Sequence, residues 1–343
     1  MSLRASVIGI ASLVCGACVG PLSIEYADAV DAGPPDAGSV TVDDGGAPLP
    51  PSPIPSVDGG SIATPDAGTI PTIDAGTLAP LAPPEARYHT FDEVDAFVHE
   101  LGRRHPDRVL VDRYGQSASG RPLNVLRISD HVGVDEGEPE VLINYAIHGD
   151  EIITVECALA LLYELVERYD EDPRIRAVVD DHDLYVVPVV SPDGFAARSR
   201  EVEGVDPNRQ FPYPEAPSRA SIGIIAAAVR FFEAHNFSGS LDYHAFGQLV
   251  LLPYGASFEQ PPTYAELMGV ARDLASVAGY EPTQISYLFG EPAIGGSVDY
   301  YLWRGGGTHL GIELATEKAP PTSQIATIRG HATEMGLRFI EAL

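Results

Sequence analysis

Three residues of the types that bind catalytic zinc lie at the ends of two predicted strands. His148 and Glu151 have His-x-x-Glu spacing directly after the apolar run at residues 140–147, and His244 ends a second apolar run far downstream. Catalytic zinc takes three protein ligands of the His and carboxylate types and keeps a fourth position open. A His-x-x-Glu pair alone is frequent by chance, but a third candidate in a matching position makes a zinc site the leading interpretation.

The elements that position these residues alternate along the chain. Short apolar runs of strand length are followed by longer runs of helical periodicity, which predicts an α/β sheet covered by helices on both faces. Ligands bind such sheets beyond the carboxyl ends of the strands. His148, His244 and Glu313 lie at or near such ends, so we expect them to share one crevice. The strand candidates are residues 109–115, 123–129, 140–147, 183–190, 240–246, 249–255 and 308–315.

The first helix is the best marked of the helical runs. Thr90 and Glu93 have capping-box spacing, and Pro106 would end the helix. The helix candidates are residues 89–107, 152–170, 221–236, 264–279 and 322–343. Cys157 lies in the second of these and is expected to be a buried core thiol.

Three motifs resemble those of the zinc carboxypeptidase family, peptidase family M14. Residues 189–212, VVSPDGFAARSREVEGVDPNRQFP, resemble the family pattern NPDG…R…GVDLNRNFP and form the most specific match. Residues 242–255, DYHAFGQLVLLPYG, are similar to DxHSxxQLxLYPYG. Residues 115–122, GQSASGRP, are similar to the GxSxxGRP turn. The resemblance covers residues 87–343.

The resemblance implies a fold, an activity and a cofactor. The fold is a three-layer α/β/α domain with a mixed, mostly parallel eight-stranded sheet. The activity is a zinc-dependent metallocarboxypeptidase, which hydrolyses the C-terminal bond of a peptide whose terminal carboxylate is free. One zinc ion per domain is implied, held by His148, Glu151 and His244. We expect a monomer.

The catalytic roles follow from the same resemblance. Glu313, in LGIELAT, matches the catalytic Glu of the family, and a carboxylate there can take a proton from water and return it to the leaving amine. Arg200 matches the residue beside the scissile carbonyl, where a cation would stabilise the developing oxyanion. Arg198 is the alternative for that role, because the register differs by one residue among relatives.

The substrate-binding roles fall on four residues. Asn208 and Arg209 match the pair that holds the terminal carboxylate, and Arg suits a carboxylate because its guanidinium is planar and bidentate. Tyr287 is the nearest candidate for the family's mobile Tyr, whose position by direct counting is occupied by Glu291. Val298 matches the floor of the pocket for the last side chain. An apolar residue there predicts apolar C-terminal residues, because a buried Lys or Arg would find no counter-charge.

Two other functions remain open at this stage. A zinc deacylase of the succinylglutamate desuccinylase or aspartoacylase type shares the ligand pattern, and a catalytically silent binding module would not need Glu313. Three departures from the family pattern are Asp150 between the first two ligands, Pro207 before the Asn-Arg pair and Gln210 after it. None of these departures removes a metal-ligand candidate or the guanidinium of Arg209.

The first part of the chain has a different composition from the rest. Residues 1–18 have the layout of a secretory signal, with Cys18 as a candidate lipid-anchor site, and residues 19–86 predict a disordered acidic linker rich in Pro, Gly and Ala. The catalytic domain would occupy residues 87–343. A net charge of −28 argues against nucleic acid as a partner. An exported bacterial protein, extracellular or attached to the envelope only through Cys18, is expected.

Overall fold

The computed structural model describes residues 81–217 and 219–343. The described helices are α1 (Phe91–Arg104), α2 (Ile153–Glu167), α3 (Pro173–Asp180), α4 (Pro192–Ala197), α5 (Gly223–Glu233), α6 (Tyr264–Ser276), α7 (Ile285–Phe289), α8 (Ser297–Gly305) and α9 (Thr322–Glu341). The described strands are β1 (Val109–Gln116), β2 (Pro122–Ile128), β3 (Glu140–Tyr145), β4 (Asp183–Val187), β5 (Phe237–Ala245), β6 (Leu249–Leu252), β7 (Glu281–Gln284) and β8 (Thr308–Leu314). A 3-10 helix spans Pro207–Arg209.

The strands form one mixed sheet in the order β1-β2-β4-β3-β5-β8-β6-β7. Strands β4, β3, β5 and β8 are parallel neighbours at its centre, and antiparallel pairs occur toward both edges. The predicted mixed, mostly parallel eight-stranded sheet is therefore confirmed. The parallel centre places the carboxyl ends of β3, β5 and β8 side by side, at the edge where ligands bind.

Each face of the sheet is covered by helices, which explains the unbroken apolar runs of the central strands. In β3, Val141, Ile143 and Tyr145 pack into the cluster that includes residues of α2 and α9. Leu142, which points to the opposite face, packs into the cluster formed with α5 and α8. Cys157 of α2 is buried in the first cluster, as predicted.

The start of the described chain is attached to the domain at two points. The Leu81 amide donates to Glu167 Oε2 (3.0 Å), and Arg329 donates to Pro84 O (2.8 Å). The capping box of α1 forms as predicted, with Glu93 N donating to Thr90 Oγ1 and Thr90 N donating to Glu93 Oε2.

Some short elements carry no sequence signal strong enough to predict. Helices α3, α4, α7 and α8 and strand β7 have between 4 and 9 residues each. At these lengths helical periodicity is barely developed, and tertiary packing determines the conformation. Two of these helices, α7 and α8, border the site described below.

The predicted signal segment at residues 1–18, with Cys18, lies outside the described residues, as does most of the predicted linker. Among the helices of the described part, none combines the length and apolar character required to cross a bilayer.

Candidate active site

His148, Glu151 and His244 converge beyond the carboxyl ends of β3 and β5. Nδ1 of His148 lies 2.8 Å from Glu151 Oε1, and Nδ1 of His244 lies 3.1 Å from Glu151 Oε2. The two Nδ1 atoms are 3.3 Å apart. A tetrahedral zinc ion with bonds of about 2.0 Å separates its ligand atoms by about 3.3 Å. These three buried side chains thus present two imidazoles and one carboxylate at a spacing that fits zinc.

The outward nitrogens of both His rings have partners that fix the ring orientations. Nε2 of His148 lies 3.0 Å from Asp206 Oδ1, and Nε2 of His244 lies 3.3 Å from Asn208 Nδ2. Burial alone would raise the pKa of Asp206, but His148 and the Arg200 guanidinium hold it well below its usual range. The Asp206 carboxylate can accept the Nε2–H of His148 and so leaves Nδ1 for the metal, whereas the Asn208 NH2 group can only donate to His244 Nε2.

Gly149 explains how the loop after β3 brings His148 and Glu151 together. A Cβ atom on Gly149 would lie 1.9 Å from the carbonyl carbon of Gly194, at the start of α4. Only Gly allows this close backbone approach. The Gly between the two ligands is therefore required by packing against the segment that carries the PDG motif.

Glu313 lies on β8 directly opposite His244 of β5. Its Oε2 atom is buried and makes no hydrogen bond to any described residue. Burial, together with the negative charge of Glu151, raises the pKa of Glu313 to about 7, against the lowering effect of His244, Arg200 and Lys318. Glu313 is therefore an unpartnered carboxylate beside the metal-ligand group, as a general base requires.

The structure brings Arg200 to the site and places Arg198 elsewhere. Nη1 of Arg200 lies 3.2 Å from His148 Nδ1, while its Nε and Nη2 donate to Asp206 Oδ2 at 3.1 and 2.9 Å. Arg198 caps α4, and its guanidinium lies over the Phe195 ring, 4.7 Å from the centroid. Of the two candidates, only Arg200 is among the residues that line the cavity at the metal group.

Asn208 and Arg209 are presented by the 3-10 helix Pro207–Arg209. The Ser297 amide donates to Asn208 Oδ1 (2.9 Å), which fixes the side-chain amide with Nδ2 toward His244. Arg209 donates from Nη1 to Asn208 O (2.9 Å). Burial lowers the pKa of Arg209, which nevertheless stays a cation because an arginine pKa starts above 12.

A cavity of about 190 Å³ connects the metal group with Arg209. Val298 lines it, buried to 5 % exposure, and Glu291 is exposed and is not among the lining residues. Asp299 also lines the cavity, but it accepts hydrogen bonds from the amides of Gly255 and Ala256. Lys318 and Ser297 line the cavity as well, and the rest of its wall is apolar or small, with Ala245, Phe246, Leu251, Ile285, Phe289, Ala293 and Gly311.

Tyr287 lies on α7 with its ring against Phe258 (centroids 5.4 Å apart) and is not among the cavity-lining residues. Phe289, at the end of α7, lines the cavity instead, and the Arg209 guanidinium lies 5.5 Å from its ring centroid. Sequence reasoning missed Phe289 because it sought a Tyr. An aromatic residue directly before Gly290, which caps α7, was the available signal in the sequence.

His309 and Ser297 lie near the site but have hydrogen-bond partners outside the metal-ligand group. His309 is fully buried and pairs with Ser240 Oγ (2.8 Å) and Gly306 O, rather than with a zinc-ligand candidate. Ser297 donates its hydroxyl to Asp242, so it is not poised as a nucleophile.

The fold and the three-ligand group define an α/β domain with a zinc site of the catalytic type. The sequence model of the family described as "Zinc carboxypeptidase" matches residues 94–334. The chain therefore belongs to the zinc carboxypeptidase family, and zinc is the cofactor that this family uses.

Individual relatives agree with this assignment. A zinc carboxypeptidase of Saccharothrix mutabilis subsp. capreolus is 27% identical over 290 residues, covering 69% of this chain and 63% of the relative. Carboxypeptidase A1 of Bos taurus is 30% identical over 256 residues, covering 63% and 59%. The matches thus span about three-fifths of these relatives. The crystal structure of carboxypeptidase A from Helicoverpa armigera superposes with a TM-score of 0.67 at 20% identity, covering 75% of this chain and 74% of that one, which supports the fold.

Proposed function

We propose that the protein is a zinc-dependent metallocarboxypeptidase that removes the last residue of peptides with a free C-terminal carboxylate. One observation carries the proposal: the metal-ligand group, Glu313 and Arg209 line the same cavity. A metal group alone fits many hydrolases. A partly buried guanidinium in the same cavity as the metal group and the free base favours a substrate with an anionic group close to the reacting bond.

Substrate binding would begin at Asn208 and Arg209, which together form the carboxylate clamp. Nε and Nη2 of Arg209 make no hydrogen bond to any described residue, so they are free to take a carboxylate in a bidentate pair. The amide of Asn208 would add a further donor. With the terminal carboxylate fixed there, the preceding peptide carbonyl would lie toward the metal group and Arg200.

A bound zinc ion would supply Lewis-acid activation of the scissile carbonyl and of the attacking water. Glu313 would accept the proton of that water at its unpartnered carboxylate and pass it to the leaving amine. Arg200 would donate from its guanidinium to the oxygen on which negative charge develops. Asp206 would keep both His148 and Arg200 oriented through its two carboxylate oxygens.

An apolar C-terminal residue is the proposed preference. Val298 and Leu251 line the cavity and are buried, and Ile285 and Ala293 add further apolar surface. Asp299 is the acidic residue in this wall, but two backbone amides already satisfy its carboxylate. An ammonium or guanidinium group of a substrate would therefore lack an unpaired counter-charge.

The peptidase is favoured over a zinc deacylase by the clamp. Asn208 and Arg209 line the cavity together with the small residues Gly255 and Gly296, leaving room for a side chain beyond the carboxylate. Retention of Glu313 as a free carboxylate favours an enzyme over a silent binding module.

We further propose export, with residues 1–18 as the signal and residues 19–86 as a spacer before the domain at residues 87–343. Acylation of Cys18 would attach the protein to a membrane. Apart from that membrane, the one partner that we propose is the peptide substrate. We also propose that the protein is a monomer.

Metal analysis of the purified protein tests the site. We expect about one zinc per chain in the parent, and loss of most of it in His148→Ala and in His244→Ala, because two remaining ligands bind zinc weakly. Arg198→Ala is a matched control outside the site and should keep its zinc. Full zinc occupancy in either His variant would contradict the assignment.

A further inference from the structure

Besides Arg200 and Arg209, the cavity has a third cationic side chain, Lys318, which the proposed mechanism does not use. Lys318 lies in the loop between β8 and α9 and lines the cavity. Its Nζ donates to Asp150 Oδ2 at 2.5 Å, and the two side chains are 31 and 23 % exposed. Its backbone carbonyl accepts a hydrogen bond from the Ile153 amide (3.2 Å), which holds the loop against the start of α2. Hydrogen bonds of both its main chain and its side chain thus hold Lys318 in place.

Lys318 and Arg209 belong to different walls of the cavity. Arg209 lies against the segment of Phe289 and Gly295. Lys318 lies instead against Asp150, between the metal-ligand candidates His148 and Glu151, and against the start of α2.

These positions set the direction that a bound peptide would take. If the terminal carboxylate is on Arg209 and the scissile carbonyl is near Arg200, the residues upstream of the scissile bond would extend past the metal group toward the wall that contains Lys318. That reasoning depends on the proposed function, because it uses the clamp to orient the peptide.

Lys318 offers a hydrogen-bond donor at this wall of the cavity. Lys318 lines the cavity, whereas Asp150 does not, and the Oδ1 atom of Asp150 is buried away from solvent. A Lys ammonium has three N–H donors, and Asp150 takes one of them. The remaining donors favour an anionic oxygen, and they disfavour a basic side chain or a free amino terminus.

We propose that Lys318 is a specificity-determining residue that selects peptides with an acidic residue among the two positions before the scissile bond. Asp150, which does not line the cavity, orients the ammonium group of Lys318 through their ion pair. The preference is the result of a charge-assisted hydrogen bond in a partly buried site, which is worth about tenfold in kcat/KM, or about 1.4 kcal/mol. Because the pair is partly exposed, salt should reduce the preference.

The test compares peptides that share an apolar C-terminal residue and carry Glu, Gln or Lys at each of the two preceding positions. We expect the parent to prefer Glu over Gln by about tenfold at low salt, with Lys the poorest. Lys318→Gln should bring the Glu to Gln ratio close to one. Lys318→Glu should reverse the order of Glu and Lys.

Two controls separate the outcomes. Measured zinc content and melting temperature of each variant identify a purely structural role, in which stability falls and the Glu to Gln ratio does not change. A parent that cleaves the Gln peptide but shows the same ratio as Lys318→Gln would overturn this inference alone. A parent that cleaves none of the peptides, nor a simple apolar peptide, would instead overturn the proposed function.

Discussion

Replacement of Arg209 by Ala tests the clamp on which the orientation of the substrate depends. Among the described residues, the Arg209 side chain hydrogen-bonds only to Asn208 O, through Nη1. Removing the guanidinium would leave a bound carboxylate unpaired in a partly enclosed cavity. The loss of one partner of a buried charge pair costs about 3 to 5 kcal/mol. Since solvent reaches part of this cavity, we take the lower part of that range, which corresponds to roughly 100- to 1,000-fold in kcat/KM.

The assay measures kcat/KM for two peptides that are identical except that one ends in a carboxylate and the other in an amide. The parent should prefer the carboxylate by a similar factor, and Arg209→Ala should lose most of that preference. Arg209→Lys should be intermediate, because an ammonium keeps the charge but lacks the bidentate fork. Arg200→Ala should mainly lower kcat, since its interaction develops with the oxyanion, and Arg198→Ala should change little.

Two results would refute this reasoning. If the parent hydrolyses the amidated peptide as well as the free acid, the cavity does not select a terminal carboxylate. If Arg209→Ala keeps the parent's preference, the carboxylate is bound by a different cation, and Arg200 is then the first candidate.

Two further predictions concern the walls of the cavity. Peptides ending in Phe or Leu should be better substrates than those ending in Lys or Arg, and Val298→Asp should shift the ratio toward Lys and Arg; an unchanged ratio would remove Val298 from the pocket. Phe289→Ala should raise KM for free-acid peptides by roughly two- to fivefold, because an exposed cation–π contact with Arg209 is worth about 0.5 to 1 kcal/mol and the ring also shields the clamp from water. Tyr287→Phe is the matched control, and a larger effect in that variant than in Phe289→Ala would return the substrate-binding role to Tyr287.

The residues that belong to motifs could be placed from the sequence. His148 and Glu151 follow a buried strand at a short fixed spacing, so the loop after β3 had few ways to arrange them. His244 and Glu313 lie in apolar runs that predict neighbouring strands, and the structure pairs them directly across β5 and β8. Local pattern and sheet topology together determine these positions.

The residues that depend on loop packing could not be placed in this way. Phe289 contacts Arg209, and the loop at Gly295 passes so close to the Arg209 carbonyl that a Cβ atom on Gly295 would lie 2.6 Å from its oxygen. Lys318 meets Asp150 across 168 positions of sequence. Neither contact has a periodicity or a spacing that a sequence pattern can express, because each is set by how two long-range segments pack.

The products of a single free-acid peptide, identified by mass spectrometry with the parent and with Glu313→Gln at equal zinc content, test the central claim most directly. Glu313 is proposed as the base and not as a ligand, so the variant should fold and bind zinc as the parent does. We predict that the parent releases only the C-terminal residue, one residue at a time, and that Glu313→Gln releases it at a rate several orders of magnitude lower. Cleavage at internal bonds by the parent, or near-parental release by Glu313→Gln, would contradict the account.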